Sequence, residues 1–197
     1  MKTLLISAAL AASVIVPAAA HAQAVPAATV AVVDVDRVRA SCNACKTAIA
    51  ALKSQAAAED SREKTLGTSL ESERASIQAA VDALKGKEPD AALQARIKAF
   101  QTKGQQAQAE VERGRAQIAA NQQYIVKQID DKMNPIFGQV LQRRGANIMV
   151  DQGATLATAT SVDVTNDVLT ALNAALPSIA TTAPAPAPAR KSQSQGR

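Results

Sequence analysis

The sequence predicts an α+β protein, mostly α: a long antiparallel helical hairpin growing out of a small β-rich oligomerisation body. Three observations predict it. From about Ser41 to Arg144 the chain is almost unbroken helix-forming sequence. Its apolar residues recur there at spacings of three and four. The one strong break, Gly86-Lys87-Glu88-Pro89-Asp90, falls near the middle.

The outgoing arm carries Ile49, Leu52, Ala56, Leu66, Leu70, Ile77 and Leu84 in that rhythm. The returning arm carries Leu93, Ile97, Phe100, Ala107, Val111, Ile118, Ile125 and Ile129. Apolar residues so spaced over many heptads form a coiled-coil seam. Gly86 suits a helix C-terminus, and Pro89 suits the first turn of the next helix. The hairpin is therefore assigned to 41–144, with its tip near 86–90. Each arm runs to roughly 45 residues, or about 65–70 Å at 1.5 Å rise per residue. Gly67, Gly104 and Gly114 lie inside the helices, and each interior glycine costs roughly 1 kcal/mol against alanine. They predict easily bent arms, with Gly104 and Gly114 at seam positions. Pro135 is expected to kink the returning helix near its root.

The hairpin is flanked by β-prone segments. Residues 29–40 form the first part of the body, with a strand in T-V-A-V-V-D-V from Thr29 to Val35. Residues 145–179 form the second. Here N-I-M-V-D at 147–151 is one strand, Ala154 to Thr160 a weaker one, and Asp163 the N-cap of a last helix. Val164, Val168, Leu169, Leu172 and Leu176 lie on one side of that helix, and Pro177 ends it. The hairpin returns to its own root and so brings the distant strands together. Three short strands and one helix bury little apolar area and leave sheet edges open. Oligomerisation is the economical remedy. The stretch 180–197 is alternating Ala-Pro followed by a polar basic end, and is expected to be disordered.

The first residues predict export. Met1-Lys2-Thr3 is a short basic start, Leu4 to Val16 an apolar run, and Ala20-His21-Ala22 a cleavage site. Residues 1–22 thus read as a signal peptide cut near Ala22, with 23–28 a short lead-in. Cleavage removes the only histidine, His21. The remaining chain has no Trp, and its aromatics are Phe100, Tyr124 and Phe137. A Ser-His-Asp or Cys-His nucleophile and a His-ligated metal are excluded. There is no glycine-rich phosphate loop. The carboxylates lie scattered along helices among basic neighbours, as on a solvated coiled-coil face. The lack of aromatics argues against stacking on single-stranded nucleic acid. No cofactor, metal, nucleic acid or enzymatic activity is expected.

The formal charge is +5. Much of it sits at the ends, on Lys2, Arg190, Lys191 and Arg197. The exception is the hairpin tip, where Lys85, Lys87, Arg96, Lys98 and Lys103 face only Glu88 and Asp90. A basic tip suits anionic lipid or lipopolysaccharide; an ordinary exposed helix end is the plainer reading.

The order of elements resembles the OmpH/Skp family of periplasmic chaperones. The resemblance runs from A-V-V-D-V-D at 31–36, through the hairpin, to I-M-V-D-Q-G-A-T-L-A-T-A-T-S-V-D-V-T-N-D-V-L at 148–169. The last stretch carries most of it: a strand ending in Val-Asp, a turn, then Asp-Val-Thr-x-Asp-Val-Leu opening a helix. The resemblance implies a Skp-like homotrimer with three hairpins hanging like tentacles around a cavity. It implies a periplasmic holdase that keeps unfolded outer-membrane proteins from aggregating without ATP. Client contacts would then be diffuse, along inner-face residues such as Leu70, Ile77, Leu93 and Ile97. A structural coiled-coil adaptor or spacer of the cell envelope is the alternative.

Cys42-Asn43-Ala44-Cys45 departs from the family pattern. No βαβ pattern supports a thioredoxin-like reading, and Lys46 replaces the histidine of a c-type haem motif. At a helix start the pair is close enough for a disulfide. A local disulfide, a pair of inert thiols, a metal site shared between chains and redox activity all remain open at this level.

Overall fold

The computed structural model describes residues 26–185; the predicted signal peptide lies outside them. The elements are β1 (Val30–Val33), α1 (Val35–Ser41), α2 (Asn43–Ala83), α3 (Ala91–Arg144), β2 (Ile148–Asp151) and α4 (Thr165–Ala175). α2 and α3 are the arms of the hairpin. They differ in length, 41 and 54 residues, which makes them about 62 and 81 Å long at the α-helical rise. The longer arm continues past the root and supplies one wall of the body.

β1 and β2 pair in parallel, Val30 opposite Ile148 through Val33 opposite Asp151. A parallel pair needs a crossover connection, and here the whole hairpin is that connection. Asp163 adds a single bridge on Val32. The core lies between this sheet, the arm roots and α4. Ile125, Ile129, Met133, Ile136 and Val140 of α3 meet Val38, Cys42, Cys45 and Ala48 on one side and Val164, Val168 and Leu172 on the other. The spacing of the α3 residues, four-four-three-four, is one helix face.

Several elements differ from expectation. Val35 does not extend β1. Asp34 accepts a hydrogen bond from the Arg37 amide at 2.8 Å, so a side-chain cap starts α1 and overrides the β preference of the valine. The weak strand over 154–160 does not form; 3-10 turns at Gln152–Ala154 and Thr160–Val162 stand near its ends. Its Ala and Thr residues bring too little apolar surface to hold it against the body. Pro89 stands just outside α3, because Asp90 is the N-cap and accepts from the Leu93 amide at 2.8 Å. Gly86 does take a left-handed conformation at the tip, φ 89°. α3 runs through Pro135 without a break.

Asp163 is not the N-cap of α4, which is Val164: the bridge to Val32 holds Asp163 one residue outside the helix, and the motif Asp163-Val164-Thr165 locks the body instead. The Val164 amide donates to the Val32 carbonyl at 2.8 Å. The fully buried Thr165 hydroxyl accepts from the Asp34 amide at 2.9 Å. The Thr165 amide donates to the Asp163 carboxylate at 2.8 Å. Hydrogen bonds from the Thr165 hydroxyl and amide hold the Asp163 carboxyl below its ordinary range. Two residues on, Asp167 takes the Arg144 guanidinium at the end of α3, 2.7 Å away. One short stretch thus ties α4 to β1, α1 and the arm root.

Candidate functional site

Among the described residues, the arms beyond the body have only each other for cover. Of the side chains facing the seam there, Ile77 and Ala107 are buried, 8% and 7% exposed. Leu66, Leu70, Val81, Leu84, Leu93, Ile97, Phe100, Val111 and Ile118 are half-buried. Two helices without a third neighbour cannot enclose a side chain on all sides. Leu70, Ile77, Leu93 and Ile97 therefore sit between the arms, where they hold the hairpin together. All but Ile77 also leave a flank open to solvent, so the arms present a long apolar stripe.

Ion pairs set the register of the arms. Arg115 binds both carboxylate oxygens of Glu63 at 2.6 Å, and its own pKa is raised by that hydrogen bond and charge. Arg62 meets Glu110 at 3.2 Å, and Lys103 meets Glu73 at 2.7 Å. Exposed pairs of this kind are screened by solvent and add little stability, so their value is geometric. Between them Gly114 makes room for Glu59, whose carboxylate occupies the place a Cβ at Gly114 would take. One oxygen of that carboxylate, Oε1, is buried without a hydrogen-bond partner.

The basic tip is smaller than the sequence suggested. Lys103 is engaged by Glu73, and Arg96 donates to the Ser76 hydroxyl at 2.7 Å. Lys85, Lys87 and Lys98 remain exposed and make no ion pair among the described residues. Both partners of Lys103 and Arg96 lie on the opposite arm, about twenty to thirty residues back, beyond the reach of local pattern reading.

Cys42 and Cys45 form a disulfide, with Cα atoms 5.1 Å apart. Both residues are fully buried where α1 turns into α2. The sulfurs are consumed by the bond and shielded from solvent, so this is a structural staple. The readings as free thiols and as metal ligands are thereby replaced. Among the described residues, no group of three or more His, Cys, Asp or Glu is placed to hold a metal, and no helix is long and apolar enough to cross a membrane.

At the roots of the arms the structure holds a polar cluster that the sequence reading missed. Asn121, 3% exposed, faces the seam from α3. Its side chain donates to the Gln55 oxygen across the seam at 2.9 Å and accepts from Gln117 at 2.7 Å. Gln128 lies two turns further along the same face. An amide at a seam position of an otherwise apolar rhythm was the readable signal. The tail, expected to be disordered from 180, is seated on this cluster over its first residues. Ala180 donates to and accepts from the Gln128 amide, at 3.0 and 2.9 Å. The Gln55 amide donates to the Thr181 carbonyl at 3.3 Å, and the Ala183 amide donates to Asn121 Oδ1 at 2.8 Å. Main-chain hydrogen bonds hold what composition alone would release. The rest of the Ala-Pro stretch beyond 185 and the basic end lie outside the described residues.

A short parallel sheet and a terminal helix, carrying a long helical hairpin, define a tentacled α+β protein. The chain belongs to the OmpH-like outer membrane protein family, which it matches over residues 29–172. Its fold is that of a proposed OmpH-like outer membrane chaperone from Caulobacter crescentus CB15: the TM-score is 0.68 at 20% identity, over 81% of this chain and 92% of that one. No curated protein matches the sequence.

Proposed function

We propose that the protein is a periplasmic holdase that binds unfolded outer-membrane protein precursors between helical arms and needs no ATP. The observation that carries this reading is the stripe of half-buried apolar side chains along arms that extend far beyond the folded core. Such a surface suits many shallow contacts summed by avidity rather than one pocket. Family membership and the likeness of fold support it.

In this reading the working unit is a homotrimer. The outer edge of β2 is unpaired among the described residues. Val30 and Ile148 stand 40% and 42% exposed beside it, and Leu156 is fully exposed. An uncovered edge flanked by apolar side chains invites a further chain. A buried disulfide fits an oxidising compartment, in line with the export signal read from residues 1–22. The three exposed tip lysines suit anionic lipid or lipopolysaccharide.

The test is aggregation of a urea-unfolded β-barrel outer-membrane protein on dilution, followed by light scattering without nucleotide. A holdase suppresses it at about one assembly per client. Undiminished scattering at that ratio would leave an envelope spacer with one fixed partner as the better account.

A further inference from the structure

The polar cluster at the arm roots reads main chain, not side chains. Gln128 pairs with both the N–H and the C=O of Ala180, as a neighbouring strand residue does in a sheet. Gln55 takes the carbonyl of Thr181, and Asn121 takes the amide of Ala183. Among the described residues, the one side-chain hydrogen bond made by 180–183 is that of the Thr181 hydroxyl, a long 3.4 Å from the Gln55 amide. Along 179–183 half-buried and exposed residues alternate, the period of an extended strand. Residues 180–183 are Ala-Thr-Thr-Ala, so no large side chain fills a pocket. Asn121 is buried and cross-linked to Gln55 and Gln117, which holds the groove in shape.

We propose that the groove formed by Gln55, Asn121 and Gln128 is a binding site for an extended, unfolded polypeptide segment, recognised through its backbone, and that residues 180–183 occupy it as an internal competitor. The inference rests on the holdase reading and names one place where clients are gripped. Backbone recognition suits clients that differ in sequence, because every extended segment presents the same amides and carbonyls. Residues 180–183 pair weakly, through four main-chain bonds, while the tail's apolar anchor is Ile179 just before them, so a longer client strand displaces 180–183 and leaves Ile179 seated. While seated, it lowers apparent affinity by the fraction of time the groove is closed.

The experiment measures binding of a fluorescently labelled, urea-unfolded β-barrel outer-membrane protein to three chains. These are the intact protein, a truncation after Ile179, and that truncation carrying Gln128→Ala. Truncation is expected to tighten binding by about threefold or more, as an autoinhibitory occupant requires; Gln128→Ala should abolish the gain. Full-length Ala180→Pro/Ala183→Pro removes both tail amides without shortening the chain, and is expected to tighten binding likewise. It carries the test if the truncation misfolds. Unchanged or weaker binding in truncation and proline variant alike overturns the proposal and leaves the tail a structural clip. A gain that survives Gln128→Ala also overturns it. If the intact chain and all variants bind nothing, the holdase reading itself falls; if all bind equally, only this inference does.

Discussion

Replacing Thr165 by valine tests how the body is joined. Valine keeps the shape of the side chain, so no cavity opens. It removes a hydroxyl that is fully buried and accepts from the Asp34 amide at 2.9 Å. It also removes the largest of the influences that hold the Asp163 carboxyl low. An orphaned part-buried donor costs about 1–3 kcal/mol, and the bond to the largely solvent-open Asp163 carboxylate adds about 0.5–1 once screening is allowed for. The added methyl offsets about 0.8 kcal/mol, which leaves a net loss of about 1–3 kcal/mol at pH 7. The loss should depend on pH. Asp163 has a lowered folded pKa, so its contribution is present above the unfolded value, about 3.9, and fades as pH falls through the folded value. The gap between wild type and variant should therefore narrow below about pH 4. Urea unfolding at matched protein concentration, followed by circular dichroism, gives both numbers. Equal stability at pH 7 would refute the joint, and a gap that persists unchanged at acid pH would refute the role given to Asp163.

Other perturbations follow from the same geometry. Converting Cys42 and Cys45 together to alanine should cost about 2–4 kcal/mol in urea unfolding, from a lost short-loop crosslink and lost buried volume, with client holding intact in the folded protein. Gly114→Ala should stabilise the arms by up to about 1 kcal/mol, because the displaced Glu59 carboxylate gives up a site where one oxygen lacks a partner; a thermal melt that moves downward would show that Glu59 is needed there. Gly86→Ala should do the opposite, since φ is 89° and a Cβ is strained whatever the space. Changing Lys85, Lys87 and Lys98 to Glu should weaken capture of anionic vesicles, most at low salt because exposed charges are screened over about 10 Å at 0.1 M; an effect equal at all salt concentrations would point to packing.

The hairpin was legible because its signals are local and repeated. The 3-4 rhythm, the Gly86–Asp90 break and the return of Ile125 and Ile129 to one face leave little room for another fold. That a helix starts near Asp163 was legible, but its cap is Val164, because Asp163 and Thr165 are committed to Val32 and Asp34, far away in sequence. What escaped the sequence was set by such distant partners. Helix α1 begins because Asp34 caps it, against the β preference of Val35. The tip lost two of its five cations to Ser76 and Glu73 on the opposite arm. The docked tail escaped because composition reports how little apolar surface Ala-Thr-Thr-Ala can bury, and says nothing of main-chain hydrogen bonds supplied by Gln55, Asn121 and Gln128.

The central claim is that the length of the arms does most of the holding, the groove at their roots being one grip among many. Replacing residues 57–118 by a short flexible loop removes the arms. It spares the core residues Leu52 and Ile125 and the amides of Gln55 and Asn121. Suppression of aggregation of a urea-unfolded β-barrel protein should be compared between this variant and the intact chain at equal assembly concentration. The account predicts full suppression by the intact protein and at least a tenfold loss in the armless one, with the body still assembled by light scattering. Undiminished suppression by an assembled, armless body would contradict it.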